Sequence, residues 1–248
     1  MKKFFAIVAM AAVLLACGDK PDNGGNNGGN NHPVPDVECE IAIDGSFADW
    51  DAIDSKIQKA TLPTEGTVTF SQLKTLKLYA DEVFIYIFCE FDPTETLVMV
   101  PYFDTDSDGL TGNDSKWSGA GYEAKAEGDI WSWSTEIIND VEVCVEQLEP
   151  KAWAPSFYVY TDDGTECVYE SGNGAVISSV PCATKDGLYA FEAAIVREFL
   201  YAYELGDTFT MGMYQYNKNW DCVGQLPCIT DEEMSAGDLE YMLTVALP

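Results

Sequence analysis

Histidine is nearly missing from this sequence. The chain of 248 residues has one, His32, and it lies in a Gly/Asn-rich stretch with too few apolar side chains to fold. The rest of the chain therefore offers no His-based acid–base pair, no Ser-His-Asp triad and no His-ligated zinc or haem. Basic residues are scarce as well: 13 Lys plus Arg face 42 Asp plus Glu, for a formal charge of −29 at pH 7. Such a surface repels phosphate backbones and anionic bilayers, which argues against nucleic acid as a partner and against a membrane face as a docking surface. No two cysteines have Cys-x-x-Cys spacing. Carboxylate-pair glycoside hydrolysis survives these exclusions, since it needs only Asp and Glu. Among 42 acidic residues, however, a pair can always be found.

What is present begins at the N-terminus. Lys2 and Lys3 precede an uncharged apolar run from Phe4 to Leu15. It suits a signal-peptide core and is too short to span a bilayer, which takes about 20 residues. It ends in Leu14-Leu15-Ala16-Cys17, which looks like a lipobox. Residues 1–16 are thus expected to be a lipoprotein signal peptide, and Cys17 the lipidated first residue of the mature chain. Residues 17–37, with Gly-Gly-Asn-Asn repeated at their centre, read as a flexible tether. Gly18 rather than Asp after the Cys resembles outer-membrane sorting, so the expected location is the outer membrane, on its periplasmic or surface side.

The remaining residues, 38–248, suit one domain, and 47% hydrophobic residues over the whole chain are ample for a core. Seven cysteines remain after Cys17. Cys89 and Cys144 sit in apolar runs and read as buried thiols, while Cys222 and Cys228 are the one locally plausible bridge. Leu73–Tyr79 alternates apolar and polar, and Val83–Phe91 is aromatic and β-branched. Leu97–Phe103 carries Pro101, which points to an edge or a bulge. Further runs follow, separated by turn signals such as Asp162-Asp163-Gly164, with one short helical candidate at Val196–Tyr203. About a dozen short strands predict an all-β fold, a jelly-roll-type antiparallel β-sandwich.

Several residues fall into a familiar order. Ile43-Asp44-Gly45 with Asp49-Trp50 opens the domain, and a Tyr79-Ala80-Asp81-Glu82-Val83-Phe84-Ile85 strand follows. Then come Phe103-Asp104-Thr105-Asp106-Ser107-Asp108-Gly109, Gly119-Ala120-Gly121-Tyr122, Phe191-Glu192-Ala193-Ala194-Ile195, and Trp220 before Gly224-Gln225-Leu226-Pro227. Together they resemble the family 9 carbohydrate-binding modules and their DOMON-like relatives across nearly the whole domain. The resemblance implies a jelly-roll sandwich and a glycan partner. Two departures stand out: Gly121 replaces an Asp common in that family, and Val196 stands where a Pro usually follows the Ile.

Asp104, Asp106 and Asp108 before Gly109 place three carboxylates at alternate positions ahead of a turn. That pattern suits a hard cation such as Ca²⁺, with the Leu110 carbonyl and Asp114 as further donors. Ser115 stands where an EF-hand needs Glu, so this reads as a calcium loop between sandwich strands, with the structural role of rigidifying a long loop. Sugar rings stack on Trp and Tyr, so Trp117 and Trp220, both in loops, are the leading ligand candidates. Trp131 and Trp133, two apart on one strand face, are the reserves, and Trp50 reads as core. Three functions compete: a noncatalytic glycan-binding lipoprotein, a structural or adhesive surface protein binding another protein, and a carboxylate-pair hydrolase. The lipobox makes the first prediction. Cys17→Ala is expected to leave an uncleaved precursor that no longer partitions with membranes, and palmitate labelling that persists in the variant would refute it.

Overall fold

The computed structural model describes residues 40–94, 98–106, 108–112, 117, 120–160, 167–171, 174–200, 205–238 and 241–248. The signal peptide, Cys17, the tether and Asp114 lie outside them. Within them the fold is an antiparallel β-sandwich, as the alternation predicts. One sheet, here sheet A, runs in the order β1 (Gln58–Thr61), β2 (Leu73–Ala80), β3 (Phe84–Phe91), β12 (Tyr189–Val196), β10 (Val176–Ser178), with β11 (Cys182–Ala183) also on β12. Sheet B runs β14 (Cys222–Leu226), β13 (Thr208–Tyr216), β4 (Val98–Asp104), β5 (Ala124–Asp129), β8 (Ser156–Tyr160), β9 (Cys167–Ser171), with β15 (Leu243–Ala246) also on β13. The strands β6 (Trp131–Ile138) and β7 (Val141–Pro150) pair as a separate hairpin.

Strand periodicity decides which side chains meet. From sheet A, Leu76, Leu78, Ile85, Ile87, Phe191 and Ile195 enter the core; from sheet B come Met99, Phe103, Phe157, Phe209 and Met211. Cys89 is a buried thiol among them, as its apolar run predicts. Pro101, by contrast, marks no edge: β4 lies inside sheet B, between β13 and β5. Its missing N–H leaves a gap in the ladder to β5, where pairing lapses at Val100 and Pro101 and resumes at Tyr102 in the same register. The predicted helix at Val196–Tyr203 begins one residue later, as α2 (Arg197–Leu200), after α1 (Ala48–Ala52). A third helix, α3 (Asp231–Ala236), went unpredicted although Thr230 and Glu233 form a capping box at its start.

The outer face of sheet A is buried too. Residues 40–53 cross it, with Phe47 and Trp50 packed on Phe88 at ring distances of 5.2 and 5.7 Å. Glu192, opposite Phe88 on β12, is fully buried beneath them. Its carboxylate accepts the Asp44 N–H at 2.9 Å, the Gly45 N–H at 2.8 Å and the Trp50 indole N–H at 3.0 Å. The Ile-Asp-Gly and Asp-Trp signature and the Phe-Glu-Ala strand are thus two halves of one clamp.

Burial pushes the Glu192 carboxyl up to about 6 against the lowering effect of its hydrogen bonds. The folded state therefore favours the proton, and this group's contribution is full below its unfolded value and lost as pH rises through about 6. Glu192→Gln cannot titrate and sets an amide against one donor. Its stability deficit relative to wild type is expected to be largest near pH 4.5 and to shrink by about 2 kcal/mol above neutrality. Urea unfolding of both proteins across that range checks the difference, and a pH-independent gap would remove the protonated clamp.

Candidate functional site

The outer face of sheet B is aromatic. Cross-strand partners share a face, which sets Tyr214 and Tyr216 beside Val100 and Val98, and Tyr102 beside Lys125, itself beside Tyr158. At one end of this face a loop between β4 and β5 folds back over the sheet. Trp117 seals it: the ring is 1% exposed, meets Tyr214 at 4.9 Å and Tyr102 at 5.9 Å, and donates to the Pro227 carbonyl at 3.2 Å. Gly212 makes room beneath, since a Cβ there would lie 2.5 Å from the indole.

The other end of the face is open. There a cleft of about 260 Å³ is lined by Val98, Glu127, Gly128, Asp129, Lys151, Ala154, Ser156, Tyr158 and Trp220. Lys125 pairs with Glu127 and lies 4.9 Å over the Tyr158 ring, while Lys151 reaches Asp129 at 3.4 Å. Trp220 stands at the rim, 56% exposed and 5.8 Å from the Tyr216 ring. Its φ of 63° is left-handed, which costs a non-glycine residue about 1–2 kcal/mol. The Asn217 side chain holds this turn by accepting the N–H groups of Asn219 and Asp221 at 2.9 and 3.1 Å. A bulky ring kept in strained backbone and half out of water is an unusual use of Trp, and here it points to a role beyond packing.

The acidic loop gains a carboxylate from outside the expected set. Continuing the β4–β5 register, Tyr102 to Lys125 and Phe103 to Ala124, brings Asp104 level with Glu123. Carboxylate oxygens of Asp104, Asp106 and Glu123 lie within 4.8 Å of one another. Thr111 Oγ1 donates to either carboxylate, Asp106 or Glu123, each at 3.1 Å. Burial, then the charges of Asp106 and Asp104, push the Glu123 carboxyl up to about 7, although the Thr105 N–H bond opposes this. Asp108 instead turns back on its own loop and accepts the Leu110 N–H at 3.1 Å; Leu110 itself is exposed. Gly121 explains one departure from the resembled family. Its φ is 50°, and a Cβ there would lie 2.6 Å from the Asp108 carbonyl, so an Asp would force this loop away.

The placement of the candidates is now clear. Asp104 and Asp106 converge, and Glu123 joins them; the Asp108 carboxylate is not in that group among the described residues. Only the sheet register reveals Glu123, which lies 17 residues beyond Asp106 in sequence. Of the aromatics, Trp220 is at the cleft, but Trp117 is core, correcting the expectation of an exposed ring. Trp131 is buried against Tyr189 at 5.3 Å, and Trp133 is half-buried, so neither offers an open ring face. Trp50 is core, as predicted. Cys222 Sγ lies 3.6 Å from the Gly224 carbonyl.

No family model and no curated protein matches the sequence. Among solved structures, the fold is similar to the crystal structure of a candidate carbohydrate-binding protein from Bacteroides uniformis. The two are 9% identical with a TM-score of 0.42, over 86% of this chain and 96% of that one. Such a distant similarity carries no argument about the site, which rests on its own geometry. The two loop tryptophans should separate in a simple measurement. Trp117→Ala is expected to cost about 3–5 kcal/mol of stability, and Trp220→Ala less than about 1 kcal/mol. Chemical denaturation of both variants checks this, and similar losses would contradict the assigned burial.

Proposed function

We propose that this chain is a noncatalytic, lipid-anchored envelope protein that binds glycan in the cleft beside Trp220. The observation that carries the reading is the exposed Trp220 ring, held in strained backbone at the rim of a polar cleft. A sugar ring offers flat C–H faces and a belt of hydroxyls. Trp220 supplies the stacking surface, and Glu127, Asp129 and Lys151 supply acceptors and a donor around it. Glu127 and Asp129 are each tied to a lysine, which orients them for hydrogen bonding. The Cys17 anchor and tether would hold the cleft away from the outer membrane.

The acidic loop fits a bound calcium ion. Asp104, Asp106 and Glu123 offer only hard oxygen donors, with Thr111 beside them. Bound there, Ca²⁺ would neutralise the three carboxylates. The residues themselves tie the end of β4 to the start of β5 and so fix the base of the loop that carries Trp117. Its role in this reading is structural, one wall removed from the sugar.

A glycan array probed with the purified protein, with calcium and with chelator, tests both parts. Retention on at least one glycan is expected, weakened about 5- to 150-fold by Trp220→Ala, as the loss of a stacking platform worth about 1–3 kcal/mol requires. Chelator should lower the Tm of the wild type and leave Asp106→Asn with Glu123→Gln unchanged. Retention that ignores Trp220 would move the site elsewhere, and a Tm indifferent to chelator would remove the ion.

A further inference from the structure

The β6–β7 hairpin stands apart from both sheets, its strands paired only with each other among the described residues. Its base is fixed by Trp131, buried on Tyr189. Beyond Trp133 the character changes. Ile137 is 70% and Val141 60% exposed, and Ile138, Val143, Val145 and Leu148 are exposed as well. Six of the eleven large apolar side chains exposed among the described residues fall in this one hairpin. Scattered apolar exposure needs no explanation, but concentration on one projecting element marks a contact surface.

The hairpin is built rather than loose. Its turn, Asn139-Asp140, has φ of 54° and 63°, the type I′ geometry that matches strand twist. The register sets Ile138 opposite Val141 and Glu136 opposite Val143, so Ile138, Val141 and Val143 share a face, with Val145 two residues on. The outer edges of both strands present backbone N–H and C=O groups to which a further strand can add.

Charge selects the occupant. Residues 131–150 contain Glu136, Asp140, Glu142, Glu146 and Glu149 and no Lys, Arg or His. A second copy of the chain would set these carboxylates against their own equivalents. An anionic bilayer is repelled for the same reason. The complementary surface is aliphatic with a cationic rim. We propose that the β6–β7 hairpin is a docking arm for another protein, receiving an extended segment in which aliphatic residues alternate with lysine or arginine. Added to a hairpin edge, such a segment would gain ladder hydrogen bonds, apolar contact on the Val141–Val143 face and ion pairs with the flanking carboxylates. This does not rest on the glycan reading, since the arm is a separate element from the sheet that carries Trp220.

The test uses the full chain and a labelled synthetic peptide alternating Val and Lys, with a Val/Glu counterpart and phosphatidylglycerol vesicles as competing probes. Fluorescence anisotropy is expected to show saturable binding of the Val/Lys peptide alone. Val141→Ser with Val143→Ser should weaken it about tenfold or more, and Glu136→Lys with Glu146→Lys should do the same while keeping every apolar side chain. Both variants replace exposed residues, and an unchanged Tm confirms that the sandwich is intact. If the serine variant lowers the Tm, the lysine variant alone decides. Equal binding of the Val/Lys peptide to wild type and lysine variant would overturn the proposal, as general attraction to an acidic protein. Binding of the Val/Glu peptide or the vesicles, or self-association abolished by the serine variant, would also overturn it.

Discussion

A buried carboxylate held by three N–H donors is the constraint on which the sandwich depends. Glu192 sits on β12, at the centre of sheet A, facing away from the main core. Exposed, that face would be a broad apolar surface carrying Phe88, Tyr86 and Ala194. Residues 40–53 cover it, and Glu192 fixes them by capping Asp44 and Gly45 and by holding the Trp50 indole. The polar groups that such a covering segment would bury are satisfied by the same side chain. Sheet A is thereby buried on both faces, which leaves sheet B as the sheet able to present a face to a ligand.

Sheet B uses that freedom unevenly. Trp117 closes one end over Tyr102 and Tyr214, made possible by the lack of a side chain at Gly212. The other end stays open as the cleft beside Trp220. The acidic cluster lies where β4 leaves the sheet and β5 returns, the hinge of the covering loop. The acidic cluster, the packing of Trp117 and the cleft thus all lie along β4 and its neighbours in sheet B.

Much of this was legible in the residues. The alternation in Leu73–Tyr79 gave a strand at nearly the observed limits, because a half-buried strand repeats every two residues whatever its neighbours. Trp50 was readable as core from its place in the Asp-Trp signature. Pro101 misled because a proline in a strand signals a missing donor, and only pairing shows that an interior strand carries the gap. Trp117 misled in the same way: a Trp in a loop looks exposed until the loop is seen to fold over a sheet with a glycine beneath. Val141, Val143 and Val145 sit in a strand-like run, yet the hairpin carrying them leaves the sandwich and exposes them; the Cys144 side chain lies outside the described ones.

The sequence alone determined the class of fold, the excess of acidic over basic residues, the limits of most strands and the local grouping of Asp104 with Asp106. These are properties of adjacent residues, set by backbone period, charge and composition. The tertiary structure decided everything that needs two distant segments: Glu123 beside Asp104, Trp50 under the hold of Glu192, Trp117 inside and Trp220 out, and the cleft assembled from β4, β5, β8 and the β13–β14 turn. Register and loop folding fix those distances, and both arise from long-range burial that no local pattern encodes.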